Sequence, residues 1–197
     1  IEGGHRVGIA GVIAKDREGI TGIKYISFMN IRVAHEKKGC AEKILPFLKD
    51  GESIYNTLLV SKPGAGKTTC LRDCIRSLSN GKEGWEGMKI CVVDERSEIA
   101  ACHLGIPQND MGIRTDVLSG CGKSEGMMLM LRSMSPQIIA VDELGGKKDF
   151  QAVEQAACSG VRILGTVHAD TVEELWEKPY LKKWMKRGIF ERFILIR

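Results

Sequence analysis

The chain has 197 residues, 43% hydrophobic and 27% charged, enough for one ample domain or a domain with an appendage. A net charge of +4 is mild and concentrates on no obvious basic face, so direct nucleic-acid binding is not expected. Seven cysteines with no C-x-x-C pair argue against a disulfide framework and read as core thiols of a reducing compartment, while no apolar run approaches the ~18 residues of a membrane span and no secretory signal is visible.

Residues 1–55 differ in texture from the rest and read as a β-hairpin and linker segment, the end of a larger N-terminal region. His5 to Ile13 is strand-like, Asp16-Arg17-Glu18-Gly19 turn-like, and Ile23 to Ala34 offers a second strand. Arg32 either holds this hairpin to the core or faces a neighbouring subunit's phosphates, and the first reading is preferred. Cys40 to Leu48 reads as a short helix bent or ended near Pro46, followed by a loop over residues 49–52. The chain opens on Ile1 and closes on a strand-like segment, and is expected to be a piece of a longer protein.

From Thr57 the pattern becomes short apolar strands alternating with helices, which predicts a mostly parallel sheet covered on both faces. Thr57-Leu58-Leu59-Val60 is a buried strand. Ser61 to Thr69 is a tight Gly/Pro loop opening a helix, with Cys70, Leu71, Cys74, Ile75 and Leu78 on one face and Asn80-Gly81 as its stop. A Gly-rich loop over residues 81–87 leads to the apolar run Lys89 to Val93, which ends in Asp94-Glu95-Arg96-Ser97-Glu98. Residues 101–123 read as a long loop, of a length that tends to be functional. A methionine-rich helix, Glu125 to Met134, is followed by strand Ile138 to Val141 ending in Asp142-Glu143. Helix Asp149 to Ser159, closed by Gly160, precedes strand Val161 to Val167 ending in His168. Thr171 and Glu174 suggest a capping box for residues 171–177, Pro179 opens a last helix that Gly188 closes, and Phe193 to Ile196 is a final strand. The cluster Met127, Met128, Met130 and Met134 reads as core or subunit interface.

The loop Ser61 to Thr68 fits G-x-x-x-x-G-K-[ST] apart from Ser61 at the first glycine. Pro63, Gly64, Ala65, Gly66, Lys67, Thr68 and Thr69 are the expected phosphate-binding residues. Inward-turned amides and the positive end of the helix dipole favour a polyphosphate, Lys67 reaches its β/γ-phosphates, and Thr68 offers a hydroxyl to Mg²⁺. Hydrolysis further needs a carboxylate for the metal shell and a base for water, both at strand ends: Asp142 and Glu143 are the candidates. The acids of Asp94 to Glu98 fall on the same rim, so Glu95 and Glu98 are further candidates; the alternative is that Arg96 pairs with Glu98 on a solvated turn. His168 is either structural or a sensor of the γ-phosphate. Arg114, in the long loop, and Arg132, before the Asp-Glu strand, are candidate arginine fingers. No Asn-Lys-x-Asp base reader is present, so ATP is a better fit than GTP.

Taken together, Ser61 to Thr68, Val93 to Glu98, Ile138 to Glu143 and Gly165 to Thr171 resemble, in order, the Walker A, Asp box, Walker B and His box of type II and type IV secretion ATPases. Val93 to Ala100, Gly105 to Asp110, Gly112 to Leu118, Arg132 to Gln137 and Gly188 to Arg192 resemble more specifically the stage III sporulation protein AA family of spore-forming Firmicutes, over nearly the whole chain. The resemblance implies a RecA-like P-loop NTPase (ASCE) core over residues 56–197, with ATP and Mg²⁺ as cofactors. It implies a ring-shaped homo-hexamer in the mother-cell cytoplasm, docked on membrane proteins of a channel to the forespore. Gly145 departs from the secretion ATPases, which usually carry arginine two residues past the Walker B glutamate. Two other readings stay open: a nucleic-acid-binding ATPase with a separate single-strand-binding domain, and an assembly scaffold that holds ATP with little hydrolysis.

Overall fold

A strand apolar at every position has no solvent face, so strands of this kind must stack side by side with helices on both sides. The computed structural model, which describes residues 5–33, 35–82 and 84–197, follows that requirement. The hairpin strands β1 (Arg6–Lys15) and β2 (Ile20–Arg32) come first, then a short helix α1 (Leu45–Leu48) and two-residue strands β3 (Lys49–Asp50) and β4 (Ser53–Ile54). The remainder runs β5 (Thr57–Ser61), α2 (Lys67–Asn80), β6 (Ile90–Asp94), β7 (Thr115–Ser119), α3 (Lys123–Met134), β8 (Ile138–Val141), α4 (Lys147–Cys158) and β9 (Arg162–His168). A 3₁₀ turn (Glu173–Trp176), α5 (Pro179–Arg187) and β10 (Arg192–Leu195) complete it.

Six strands form one sheet in the order β10-β5-β9-β8-β6-β7, and every pairing is parallel. Alternation along each strand divides the core in two. Leu58 and Val60 of β5, Val93 of β6 and Ile139 and Val141 of β8 face α3, α4 and α5, where they meet Met127, Val153 and Trp184. Leu59, Ile90, Ile138 and Ala140 face the other way, onto Leu71 and Ile75 of α2. Each wholly buried Leu or Ile contributes about 1.5–3 kcal/mol relative to exposure, so these two layers carry the sheet. Trp184 anchors the first layer, stacked on Phe150 at 5.7 Å between centroids and edge-on to Phe190 at 5.2 Å. Met127 and Met130 are buried in the same layer, as expected for the methionine helix.

Because all six strands run the same way, the loops that follow β5, β6, β8 and β9 open on one rim. Strand β9 lies between β5 and β8, with Ser61 in register with His168 and Val141 with Gly165. The P-loop strand and the Asp-Glu strand are thus one strand apart.

Several expectations change. Residues 101–123 are not loop throughout: Thr115–Ser119 is the edge strand β7, hydrogen-bonded to β6. Its positions are all half-buried and two of its five side chains are apolar, so the period-2 signal of a covered strand is weak. Helix α1 is only its last turn, and Pro46 sits in its first turn, where a missing N–H costs nothing, instead of ending it. The expected capping box over residues 171–177 opens only a 3₁₀ turn, whose N-cap is Val172 with no side-chain cap bond; Thr171 Oγ1 accepts the Glu174 N–H at 3.4 Å and the Glu174 carboxylate accepts the Asp170 N–H at 2.9 Å. Ahead of β5, Ala41, Leu45, Leu48 and Ile54 are buried in the same cluster as Leu71 and Ile75 of α2. Ala34 and Glu83, which fall in the expected second strand and the Gly-rich loop, lie outside the described residues. All seven cysteines are free, with Cys70, Cys74 and Cys91 buried.

The hairpin projects from this body. Its register pairs Val7 with Ile31, Ile9 with Met29 and Ile13 with Ile23. The Arg6 guanidinium at its base donates to the Glu98 carboxylate and to the Arg96 carbonyl. Arg6 thus makes the tie to the core expected of Arg32.

Candidate active site

The phosphate cradle is built by backbone conformation. Gly64 and Gly66 have φ of 79° and 92°, and a Cβ added at either would enter open space, so glycine is required by the turn itself and not by crowding. Gly66 is the N-cap of α2 and supplies no side chain to it, and no hydrogen bond from the Lys67, Thr68 or Thr69 amide to another protein group occurs among the described residues. These donors and the helix dipole are available to an anion. Ser61, at the position of the missing glycine, still belongs to the strand. It is buried, its hydroxyl donates to the Lys62 carbonyl at 2.9 Å, and its own carbonyl accepts from the Ala169 N–H at 3.2 Å.

Lys67 is 5% exposed and its Nζ lies 2.7 Å from His168 Nδ1. Burial pulls the ammonium below the ordinary lysine value, against the opposing pull of the Asp142 and Glu143 carboxylates. The charged lysine donates, so Nδ1 is the acceptor and a neutral ring carries its proton on Nε2, which points toward Glu143 Oε1 at 3.7 Å. On the Asp-Glu strand, Thr68 Oγ1 donates to Asp142 Oδ2 at 2.6 Å, and the Thr166 hydroxyl donates to Asp142 Oδ1. Thr166 Oγ1 in turn accepts the Glu143 N–H at 2.8 Å, and Glu143 adopts a left-handed φ of 55°. A non-glycine residue in that region is uncommon and costs of order 1–3 kcal/mol. Here the Thr166 hydroxyl and carbonyl, which also accepts the Leu144 N–H at 2.9 Å, hold the turn in place.

The acidic stretch after β6 divides its work. Asp94 is buried and accepts the amides of Glu98, Ile99 and Ala100 at 2.9, 3.1 and 2.8 Å. Burial nonetheless pushes its carboxyl above the ordinary value, with those amides opposing the shift. Arg72 of α2 fixes the same turn by donating to the carbonyls of Ile99 (2.5 Å) and Glu98 (2.7 Å). Glu95 pairs with Lys123 at 2.9 Å, Glu98 with Arg6, and Arg96 with Glu143 Oε2 at 2.9 Å. The expected alternative, Arg96 with Glu98, is therefore not the pair that forms.

Lys67, Thr68, Asp142, Glu143 and His168, distant in the chain, line one cavity of about 340 Å³ with Gly64, Gly66, Thr69, Glu98, Arg96 and Arg32. Glu95 borders a smaller cleft beside Asp142 and Glu143. Arg114 and Arg132 do not reach this cradle. Arg114 precedes β7 at the opposite rim, its guanidinium on the Ser79 carbonyl at 3.2 Å. Arg132 lies in the last turn of α3, whose first turn is at the rim through Lys123; nine residues of helix put it about 13 Å further along. Arg96 was not among the expected site cations, and Arg32, for which the structural reading was preferred over a phosphate-facing one, lines the cavity of its own chain. Arg96 carried a signal, a lone positive charge among the three acids Asp94, Glu95 and Glu98 at a strand end, whereas Arg32 reaches the cavity only through the placement of the hairpin.

A magnesium-bound polyphosphate suits these residues. Amides and an ammonium serve the anion, while a hydroxyl and one carboxylate are the hard oxygen donors that a Mg²⁺ held mainly by phosphate and water requires. No cluster of three or more His, Cys, Asp or Glu that would hold a metal by itself occurs among the described residues.

Comparison with known proteins then decides the kinship. The family described as "Sporulation stage III, protein AA" matches the chain over residues 1–197. The chain belongs to the stage III sporulation protein AA family. It is 44% identical over 194 residues to the stage III sporulation protein AA of Bacillus subtilis (strain 168), covering 98% of this chain and 63% of that protein. It is 31% identical over 155 residues to the uncharacterized protein ycf45 of Porphyra purpurea, covering 78% of this chain and 26% of that protein. The chain thus spans less than two thirds of the length of these relatives. Among solved structures, the Legionella pneumophila ATPase DotB superposes with a TM-score of 0.62 at 19% identity, over 88% of this chain and 45% of DotB. The pilus retraction motor PilT with bound ADP gives 0.57 at 17% identity, over 88% of this chain and 50% of PilT. This member of the stage III sporulation protein AA family therefore has the RecA-like fold of the secretion ATPases, and among its described residues no helix is long and apolar enough to cross a membrane.

Proposed function

We propose that this chain is the ATPase core of a secretion-like machine in sporulation, using Mg²⁺-dependent ATP hydrolysis to power or gate a channel between mother cell and forespore. The observation that carries the reading is the meeting of Lys67, Thr68, Asp142, Glu143 and His168 around one cavity. The P-loop amides and Lys67 bind and orient the phosphates. Thr68 and Asp142 hold the metal, which when bound neutralises charge on the transferring phosphoryl group. Glu143 takes the proton of the attacking water, and His168, against Lys67 and Glu143, reports the terminal phosphate to both. Glu98 and Glu95 support this site from the acidic turn. The working form is a homo-hexamer in the mother-cell cytoplasm, held at the membrane by channel proteins, with Arg114 and Arg132, on the far rim of each subunit, available to a neighbour. The likeness in fold to DotB and PilT supports a motor.

ATP binding and hydrolysis measured separately on parent, Lys67→Ala and Glu143→Gln test the reading. Lys67→Ala is expected to lose ATP binding. Glu143→Gln should bind ATP and turn it over about 10²–10⁴-fold more slowly. Equal inertness of parent and Glu143→Gln, both binding ATP and assembling, would instead establish a nucleotide-dependent scaffold.

A further inference from the structure

Glu143 must offer a lone pair to water, yet both of its carboxylate oxygens face groups of its own chain. Oε2 holds Arg96 Nη1 at 2.9 Å, and Oε1 faces His168 Nε2 at 3.7 Å. An oxygen that accepts a guanidinium N–H has that lone pair engaged and does not offer it to a water. The partner is well placed to leave. Arg96 and Glu143 are 59% and 42% exposed, and so open a pair is weak and readily exchanged. The backbone around Arg96 is fixed, with Asp94 bonded to three amides, the Arg96 carbonyl held by Arg6, and the carbonyls of Glu98 and Ile99 held by Arg72. Only the long side chain is free to swing, and it lines the same cavity as Lys67 and Thr68. A terminal phosphate there presents more charge and more acceptor oxygens than one carboxylate, in a geometry that a guanidinium binds through two parallel N–H donors.

We infer that Arg96 is a two-position cation that binds Glu143 in one position and the terminal phosphate of a nucleoside triphosphate in the other, so that the base is released only when that phosphate is present. A diphosphate reaches no such contact and leaves Arg96 on Glu143. The inference rests on the nucleotide reading given above and adds to it a means of telling triphosphate from diphosphate.

Calorimetric affinities of the full chain for a non-hydrolysable ATP analogue and for ADP, both with Mg²⁺, test it on the parent, Arg96→Ala, Arg96→Lys, Glu143→Gln and the Arg96→Ala/Glu143→Gln double variant. Arg96→Ala should weaken the analogue about tenfold and leave ADP unchanged, and Arg96→Lys should recover part of the loss. Glu143→Gln removes the competing carboxylate, so the analogue should bind several-fold more tightly than to the parent, and the double variant should lose that gain. An unchanged ratio of analogue to ADP affinity in Arg96→Ala, or a Glu143→Gln gain that survives in the double variant, overturns the inference. Lys67→Ala, measured alongside, separates the two levels. If it binds the analogue as tightly as the parent, the nucleotide reading itself fails; if it loses binding while the Arg96→Ala ratio is unchanged, only the switch fails.

Discussion

Asp94 accepts three consecutive amides in a buried position, and its removal would leave donors with no solvent to turn to. Asp94→Ala is expected to destabilise the chain by about 3 kcal/mol, read from the denaturant midpoint. It should also loosen the turn that carries Arg96 and Glu98, so hydrolysis should fall more than ATP binding does. From sequence, Asp94 to Glu98 was readable as acids on the rim, but not their separate tasks. Which acid of such a cluster turns inward depends on the exit angle of β6, and that is set by packing. The P-loop residues were legible because their chemistry is local: Gly64 and Gly66 meet a backbone requirement that neighbouring residues alone impose. Arg32 was not, since its place depends on how the hairpin lies against the core. Ser61 marks the limit of reading by motif, for this chain keeps the position in β5 with an ordinary backbone, and a serine serves there.

At the scale of elements, strands β5, β6, β8 and β9 were legible because wholly apolar runs have one environment open to them. The edge strand β7 was not, because half-buried residues carry a mixed pattern and its pairing to β6 is a tertiary fact. The packing of α3 on β6 is another feature hidden from periodicity. A Cβ on Gly126 would lie 2.5 Å from Val93 Cγ1 and 2.7 Å from Cys121 Sγ, so the helix rests on the strand with no room for a methyl group. Helix propensity alone favours Gly126→Ala by about 1 kcal/mol. Overpacking typically costs about 1–3 kcal/mol and outweighs that gain here, where Val93 is fixed in the core and the partly buried Cys121 packs against it. Gly126→Ala should therefore lower the thermal midpoint. Because Val93 directly precedes Asp94, it should also weaken ATP turnover, whereas a helix limited by propensity would be stabilised.

For the whole molecule, the hairpin is the feature that the sheet and its helices do not explain. Val7, Ile9, Ile13, Ile20, Ile26, Met29 and Ile31 are all exposed, and the register brings Val7, Ile9, Met29 and Ile31 together on one face. An apolar face of this extent in water favours association, while its exposure means that little folding energy depends on it. These two consequences can be separated by experiment. Ile9 and Met29 are cross-strand partners at 46% and 59% exposure, so Ile9→Lys/Met29→Lys removes the centre of the face without opening a cavity. The denaturant midpoint should stay within about 0.5 kcal/mol of the parent's, while sedimentation velocity should show less concentration-dependent association. The base of the hairpin behaves differently, because Arg6 there holds both Glu98 and the Arg96 carbonyl. Arg6→Ala should leave association as it is and alter ATP turnover, since it frees the turn that presents Arg96. A loss of stability in the lysine variant would mean that the face is already covered within the chain, and an unchanged rate in Arg6→Ala would mean that the hairpin and the acidic turn act independently.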